Sequence, residues 1–218
     1  PVNKCLKDNN LNLKFVLNTH HHFDHVGGNA ELKQEYNCKI VGSKLDEERI
    51  PEIDISLREG ELWNFKENLA QVIEIPGHTT GHIAFYFMDE KIVFTGDTLF
   101  ALGCGRLFEG TPEMMWNSLK KLKNLPDDTK VYCGHEYTLS NAKFLQSVIS
   151  NDLINKKIEE LKKLDLDKTP SIPSTIKEEK ELNLFFQSDN SDLKIQLNMK
   201  DKTDEETFAY LRNLKDNF

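Results

Sequence analysis

All seven histidines of the chain lie in three short segments, and the first segment combines them with a carboxylate. Residues 19–29 read Thr-His-His-His-Phe-Asp-His-Val-Gly-Gly-Asn and follow a short apolar stretch. In an extended loop, His20 and His22 project to the same side. Asp24 and His25 come next, before two glycines that permit a sharp turn. Imidazole and carboxylate groups are ligands for zinc, iron and manganese, so this cluster predicts a metal site.

Three further segments carry ligand-type side chains next to glycine. Residues 76–82 join two predicted strands and contain His78 and His82, either of which could be a ligand. Asp97 follows a strand in Thr-Gly-Asp-Thr, where a carboxylate can bridge two metals, and His135 follows another strand in Cys-Gly-His-Glu. Each segment alone is a weak signal, but their shared position at strand ends predicts one common site.

The number of candidate ligands favours two metal ions over one. A single tetrahedral zinc site uses three protein ligands and keeps one open position. A larger set suits two ions about 3.5–4 Å apart that share a carboxylate and a hydroxide. With one histidine counted from residues 76–82, seven candidates are present: His20, His22, Asp24, His25, His78 (or His82), Asp97 and His135.

Composition excludes several other classes of protein. The 218 residues have a formal net charge of −8, which disfavours nucleic acid as a partner. No apolar run approaches the roughly 20 residues of a membrane span, so we expect no membrane partner. The cysteines are isolated and form no CxxC pair, which predicts free thiols in a reducing compartment and excludes a cysteine-rich zinc site. The cytoplasm is the expected location, with an organelle matrix as the alternative.

The order of predicted elements gives an α/β part followed by a helical part. Strands are predicted at 14–19, 39–41, 69–75, 82–88, 91–95 and 129–133, with 82–88 and 91–95 as a hairpin. Helices are predicted at 30–36, capped by Asn29, and from Pro112 to about Lys123, capped by Thr111. We expect two domains, residues 1–136 and 137–218.

Helical spacing and capping signals dominate the second part. Apolar residues recur at helical spacing from 139 to 164, and two prolines mark a connection near 170–173. Later come two candidate capping boxes and a terminal apolar stripe. These comprise Thr175 with Glu178, Thr203 with Glu206, and the stripe Phe208, Leu211 and Leu214.

The motif at residues 20–25 resembles that of the metallo-β-lactamase superfamily. More narrowly, the chain resembles glyoxalase II, the hydroxyacylglutathione hydrolases, over nearly its whole length. The narrower resemblance rests on residues 77–82, 95–100, 103–111, 132–138 and 212–216. It implies an α/β (α+β) fold, namely an αββα sandwich followed by a C-terminal all-helical domain. It also implies a pair of strands ahead of the position of Pro1, so we expect this chain to lack those strands.

The resemblance implies a role for each candidate ligand and selects His78 over His82. One metal would be held by His20, His22 and His78, the other by Asp24, His25 and His135, and Asp97 would bridge them. The two ions would be zinc, with iron or manganese as alternatives. A hydroxide between them would attack a thioester carbonyl, with Asp24 and Asp97 as catalytic residues. His21 and His82 would support the ligands.

The resemblance also implies a substrate. The family hydrolyses S-D-lactoylglutathione and related S-2-hydroxyacylglutathiones to D-lactate and glutathione, the second step of methylglyoxal detoxification. Cations would meet the two glutathione carboxylates, and we expect a monomer. The implied substrate-binding residues are Arg106, Leu107, Phe108, Tyr137, Arg212 and Lys215. Phe108 departs from the tyrosine of some members, and residues 183–187 depart from the usual family pattern, which places the departure in the helical part.

Other functions fit the sequence less well. A persulfide dioxygenase also handles glutathione derivatives but uses one iron, which seven ligands disfavour. A β-lactamase or a processing nuclease would not account for the three cations. A non-catalytic metal-dependent binding protein is the alternative from a different class, and an activity measurement separates it.

Overall fold

The computed structural model describes residues 1–149 and 151–218. In chain order, the first elements are α1 (Val2–Asp8), β1 (Phe15–Leu17), α2 (Phe23–Val26), α3 (Asn29–Tyr36), β2 (Lys39–Ser43), a short 3-10 helix (Lys44–Asp46) and β3 (Ile53–Leu57). Next come β4 (Leu62–Phe65), β5 (Asn68–Glu74), β6 (Ile83–Phe87), β7 (Ile92–Gly96), β8 (Leu99–Phe100), β9 (Gly103–Cys104), α4 (Pro112–Lys123) and β10 (Lys130–Cys133). The remainder contains α5 (Thr138–Val148), α6 (Asp152–Leu166), β11 (Ser174–Thr175), α7 (Ile176–Leu182), α8 (Ser191–Gln196) and α9 (Asp204–Asp216).

Two sheets stack face to face between layers of helices. The first sheet has the order β1-β2-β3 with parallel neighbours. The second has the order β11-β10-β7-β6-β5-β4, in which β10 and β7 are parallel and the other pairs antiparallel. A separate hairpin pairs β8 with β9. The predicted sandwich with C-terminal helices is therefore confirmed.

Side-chain alternation along the strands creates the separate cores. On β6, Phe85 packs between the two sheets, whereas Ala84 and Tyr86 face the helices. On β2, Val41 faces the second sheet and Ile40 faces the outer helices. Because neighbouring strand residues point to opposite faces, each central strand serves two cores and is buried on both sides.

Three details of the helices differ from the sequence predictions. Asn29 does not cap α3. It is the first helical residue, and its buried side chain donates to Asn18 Oδ1 at 2.8 Å. The segment 139–164 forms two helices, because the Asn151 side chain caps a new one by accepting from the Ile154 backbone N–H. Thr175 caps α7 through the Glu178 N–H alone, whereas Thr203 and Glu206 form the full reciprocal box.

The first sheet has an open side next to the second. Among the described residues β1 pairs only with β2, and an apolar groove of about 720 Å³ lies beside it. Phe15, Phe87 and Phe94 line this groove, and Phe94 is 41% exposed. The expectation that family-type strands precede Pro1 stays a prediction. Among the described residues, no helix combines the length and apolarity that a membrane crossing requires.

Candidate metal centre and substrate pocket

The histidine-rich loop begins where β1 ends, and buried asparagines fix its shape. The Asn18 side chain donates to the His25 carbonyl oxygen at 3.0 Å and accepts from Asn29. His22 stands directly before α2, and Asp24 and His25 lie within that short helix. The tight turn therefore directs ligand-type side chains from six consecutive residues toward one point.

One group of three imidazoles has the spacing of ligands around a single ion. His22 Nδ1 lies 3.2 Å from His20 Nε2 and 3.0 Å from His78 Nε2. Two nitrogens bound tetrahedrally to one zinc at its usual bond length are separated by about 3.3 Å. The structure therefore brings these three predicted residues together in a suitable arrangement.

A second group lies beside the first, with a carboxylate between them. His135 Nε2 lies 3.2 Å from Asp24 Oδ2, and His25 Nε2 lies 3.6 Å from the same oxygen. Asp97 Oδ1 is 3.3 Å from His25 Nε2, and Asp97 Oδ2 is 3.3 Å from His135 Nε2 and 3.6 Å from His78 Nε2. Asp97 thus contacts members of both groups, as a bridging ligand must.

Unsatisfied buried atoms show that this cluster fits metal ions. Within the described part of the chain, His25 Nε2 and Asp97 Oδ1 are buried, and although they lie 3.3 Å apart neither makes a hydrogen bond of acceptable geometry. Leaving such atoms unpaired costs about 1–3 kcal/mol each. Both atoms belong to groups of candidate ligands that lie within 4.8 Å of one another, so divalent ions bound there would satisfy them. The donor set and its geometry therefore support a site for divalent metals.

Burial keeps several of these imidazoles neutral, which is the form that binds metal. Burial, reinforced by neighbouring histidines, lowers the pKa of His20 far below its ordinary value. Burial also lowers the pKa of His78, although the Arg106 carbonyl oxygen opposes the shift. Burial would lower the pKa of His25 too, but the Asp97 and Asp24 carboxylates raise it above its ordinary value.

His82 supports the site from behind. Its ring is fully buried, and Nε2 accepts a hydrogen bond from the Asp97 backbone N–H at 3.0 Å. Burial lowers the pKa of His82 to about 3, so this acceptor stays unprotonated. The ring also stacks on His20, with centroids 4.5 Å apart. His78, by contrast, directs Nε2 into the cluster while Nδ1 lies 2.9 Å from the Arg106 carbonyl oxygen.

His21 belongs to a charged network that joins three loops of the site. Its Nδ1 lies 3.1 Å from Oδ2 of the buried Asp46. Arg49 hydrogen-bonds Asp46 and also donates to Glu109 Oε1 at 2.6 Å. Glu109 in turn accepts from the Thr80 backbone N–H at 2.7 Å. Sequence analysis missed this network, since its members are far apart in the chain and belong to no motif.

Close contacts with the candidate ligands explain why residue 134 is a glycine. A Cβ atom there would lie 2.3 Å from Asp97 Oδ1 and 2.8 Å from His25 Cε1. Only glycine lets the end of β10 approach the other ligands closely enough for His135 to join them.

A cavity of about 430 Å³ opens over the cluster. Five of the six predicted substrate-binding residues line it, together with two that the sequence did not single out, Phe100 and Cys104. Phe100 packs edge-on against Tyr137, with centroids 5.3 Å apart, and the Tyr137 ring stacks on His135. The cavity is lined by His22, Asp24, His78, Asp97, Phe100, Cys104, Arg106, Phe108, His135, Tyr137, Arg212 and Lys215.

Leu107, which is predicted to line this cavity, is not among its lining residues. Its side chain is half-buried and packs against the main core. Arg106 and Phe108, on either side of it, are exposed and line the cavity. Successive residues of an extended segment point to opposite sides, so Leu107 faces inward when its neighbours face the cavity.

The two basic residues of α9 have different surroundings. Arg212 is 5% exposed, and it donates to the Cys104 carbonyl oxygen at 2.7 Å and to Asp216 Oδ1 at 2.9 Å. Lys215 Nζ lies over the Phe144 ring, 5.2 Å from its centroid. Burial lowers the pKa of Lys215, and the nearby Arg212 and Arg106 charges lower it further. Arg212 is thus partly a structural residue, whereas Lys215 is a cation without a carboxylate partner within the described residues.

Fold and ligand cluster together define a metallo-β-lactamase superfamily protein, and the superfamily's model matches residues 5–135. A second family model, described as hydroxyacylglutathione hydrolase C-terminus, matches residues 136–218. The hydroxyacylglutathione hydrolase of Pelagibacter ubique is 51% identical over the whole chain and 86% of its own length. The hydroxyacylglutathione hydrolase of Methylococcus capsulatus is 43% identical, again over the whole chain and 86% of its own length. The chain belongs to the hydroxyacylglutathione hydrolase family.

Solved structures agree on the fold. The crystal structure of ETHE1 from Myxococcus xanthus has a TM-score of 0.64 at 24% identity, covering 98% of this chain and 74% of that one. The structure of TTHA1623 in a di-iron-bound form has a TM-score of 0.54 at 33% identity, covering 62% of this chain and 75% of that one.

Proposed function

We propose that the chain hydrolyses the thioester of S-D-lactoylglutathione and related S-2-hydroxyacylglutathiones, releasing D-lactate and glutathione. The observation that carries this proposal is the position of the cationic cavity directly over two ligand groups that share Asp97. Full-length similarity to hydroxyacylglutathione hydrolases supports it. The match of residues 136–218 to the C-terminal model of that family favours this activity over a persulfide dioxygenase.

The proposed metal ligands follow the two geometric groups. His20, His22 and His78 would hold one ion, and Asp24, His25 and His135 the other, with Asp97 bridging. Two such ions supply a Lewis acid for the carbonyl and lower the pKa of water toward neutrality. We propose zinc, with iron or manganese as alternatives, because the imidazole and carboxylate donors suit all three.

The remaining residues of the cavity would bind and orient the substrate. Arg106, Arg212 and Lys215 line the cavity, where they would meet the glutathione carboxylates. The exposed rings of Phe108 and Tyr137 flank the ligands and would pack on the peptide. Asp24, which is exposed on the cavity side, would hold the attacking water or hydroxide in position by accepting a hydrogen bond from it. The thiolate leaves readily and needs no strong acid.

We also propose a division into a catalytic domain, residues 1–136, and a substrate-binding domain, residues 137–218. The change from sheet to helix near Tyr137 supports this boundary. Residues from both sides line the cavity, so each part would be needed for catalysis. We propose a monomer in the cytoplasm, where four free thiols would persist, and light scattering of the purified protein tests the monomer.

The test is hydrolysis of S-D-lactoylglutathione by metal-analysed protein, beside a simple thioester that lacks the glutathione peptide. Fast turnover of the glutathione substrate alone is the expected result. Absence of turnover by protein that holds about two metal ions per chain would overturn the proposed activity and favour a binding protein. Equal turnover of both thioesters would contradict the proposed recognition of glutathione.

A further inference from the structure

Three side chains from the C-terminal helical part hold the turn between β8 and β9. Asn141 Nδ2, on α5, donates to the Ala101 carbonyl oxygen at 3.0 Å. Glu179 Oε2, on α7, accepts from the Leu102 backbone N–H at 2.9 Å. Asn183 Nδ2, at the end of α7, donates to the Gly103 carbonyl oxygen at 3.1 Å and to Glu179 Oε2 at 2.8 Å. Three consecutive residues of the turn are thus bound by side chains distant in the sequence.

The turn has a backbone conformation that needs such support. Leu102 has a φ of 60°, in the left-handed region that a leucine rarely adopts because its Cβ approaches the following carbonyl oxygen too closely. Strands β8 and β9 contain only two residues each, so their own ladder is short. A Cβ atom on Gly103 would lie 2.5 Å from Asn141 Nδ2, which shows how closely the helix approaches. External hydrogen bonds therefore fix this hairpin.

The segment that follows the turn reaches both the substrate pocket and a metal ligand. The Cys104 carbonyl oxygen accepts from Arg212, and the Arg106 carbonyl oxygen lies 2.9 Å from His78 Nδ1. A carbonyl oxygen only accepts, so this contact places the His78 proton on Nδ1 and leaves Nε2 for the metal. The Arg106 side chain lines the cavity. A displacement of the turn would therefore move a substrate cation and release a ligand.

We propose that Asn141, Glu179 and Asn183 form a clamp that positions residues 104–106 for catalysis, and this inference rests on the proposed function. These are positioning residues, because they act through the turn and not on the substrate. The clamp links the helical part to the affinity for glutathione thioesters and to the orientation of His78. An ordinary buried polar cluster would affect stability alone.

The burial of Glu179 supports a specific role for its carboxyl group. Glu179 is fully buried, and burying a carboxyl group is costly unless its hydrogen bonds are satisfied. Apolar side chains fill such a space at lower cost. Here Oε2 of the carboxyl group accepts from both the Leu102 N–H and the Asn183 amide, while Oε1 has no partner among the described residues. The group therefore joins Leu102 to Asn183, the side chain that binds Gly103.

The experiment compares four variants of the full chain. Glu179→Ala and Asn141→Ala remove contacts to the turn, whereas Glu179→Gln keeps an oxygen that can accept both hydrogen bonds. Ile158→Ala is the matched control, since Ile158 is buried in the same helical part, on α6. For each protein we would measure KM and kcat with S-D-lactoylglutathione and the metal retained against a chelator.

Glu179→Ala is expected to raise KM and to weaken metal retention, each by about tenfold, as for loss of a group that orients a ligand. Asn141→Ala should shift both in the same direction by a smaller factor. Glu179→Gln should stay within about twofold of the unmodified chain, because its hydrogen bonds remain. Ile158→Ala should unfold at lower denaturant with KM and metal retention unchanged.

Unchanged KM and metal retention in Glu179→Ala and Asn141→Ala would overturn the clamp, as would an equal rise of KM in Ile158→Ala. If Glu179→Ala does not fold, Asn141→Ala decides the matter, since it removes one hydrogen bond from the turn. If the unmodified chain does not hydrolyse the substrate, the proposed function fails. The clamp is then tested by metal retention alone, compared between the variants and the unmodified chain.

Discussion

His82 Nε2 accepts a hydrogen bond from the backbone N–H of Asp97 at 3.0 Å, deep beneath the metal cluster. This contact fixes the backbone of the residue that carries the proposed bridging carboxylate. His82, which is close in sequence to the candidate ligand His78, therefore contributes by holding Asp97 in place.

Replacement of His82 by phenylalanine tests this contact. The ring would keep its stacking on His20 but leave the buried Asp97 N–H without an acceptor, which costs about 1–3 kcal/mol of unfolding free energy. We expect weaker metal retention against a chelator and a lower urea midpoint in the metal-free protein. Metal retention equal to that of the unmodified chain would show that Asp97 needs no such support.

Removal of the proposed bridging carboxylate, Asp97, should have a larger effect. Asp97→Ala is expected to lose metal and hydrolysis together, because Asp97 contacts both ligand groups. Metal analysis and turnover of the same sample give the measurement. Asp128→Ala is the control, since Asp128 is an exposed aspartate paired with Lys91. An active Asp97→Ala protein with its full metal content would refute the bridging role.

Lys215 should act on substrate affinity. Lys215→Ala is expected to raise KM for S-D-lactoylglutathione by about tenfold, the value of one charge-assisted hydrogen bond, and to leave kcat nearly unchanged. A thioester without the glutathione peptide should show no change. Lys143→Ala removes an exposed cation of α5 and serves as the control. Equal effects of the two substitutions on KM would show that Lys215 contributes only its positive charge and no specific contact with the substrate.

Arg212 should affect stability as well as affinity. Its guanidinium donates to the Cys104 carbonyl oxygen in a buried position, so Arg212→Ala leaves that oxygen unpaired. We expect KM to rise and the unfolding free energy to fall by about 1–3 kcal/mol. Urea unfolding of Arg212→Ala beside Lys215→Ala is the measurement. If Lys215→Ala lost stability and Arg212→Ala did not, the structural role assigned to Arg212 would be wrong.

Glu179 should make stability depend on pH. Burial raises the pKa of its carboxyl from 4.5 to about 7, so the folded chain holds a proton that the unfolded chain releases. Stability relative to Glu179→Gln is therefore highest below about pH 4.5 and falls as pH rises through about 7, by up to about 3 kcal/mol. Urea unfolding of both metal-free proteins across this window measures the difference. A difference that does not change with pH would contradict the shift.

The sequence by itself determined the ligand types, the order of the elements and the family. The segment 20–25 is local, so its spacing alone predicts a metal site, and the apolar run within residues 82–88 predicts a strand of the hairpin. The caps at Thr111 and Thr203 are equally local, since each depends on a residue three positions later.

Only the tertiary structure decided which distant side chains meet. Spacing could not choose between His78 and His82, because the choice depends on which ring faces the other loops and which receives the Asp97 N–H. The inward direction of Leu107 and the burial of Arg212 depend on packing between the two parts of the chain. The contact of Glu179 with Leu102 joins residues 77 positions apart, and such pairings carry no local signal in the sequence.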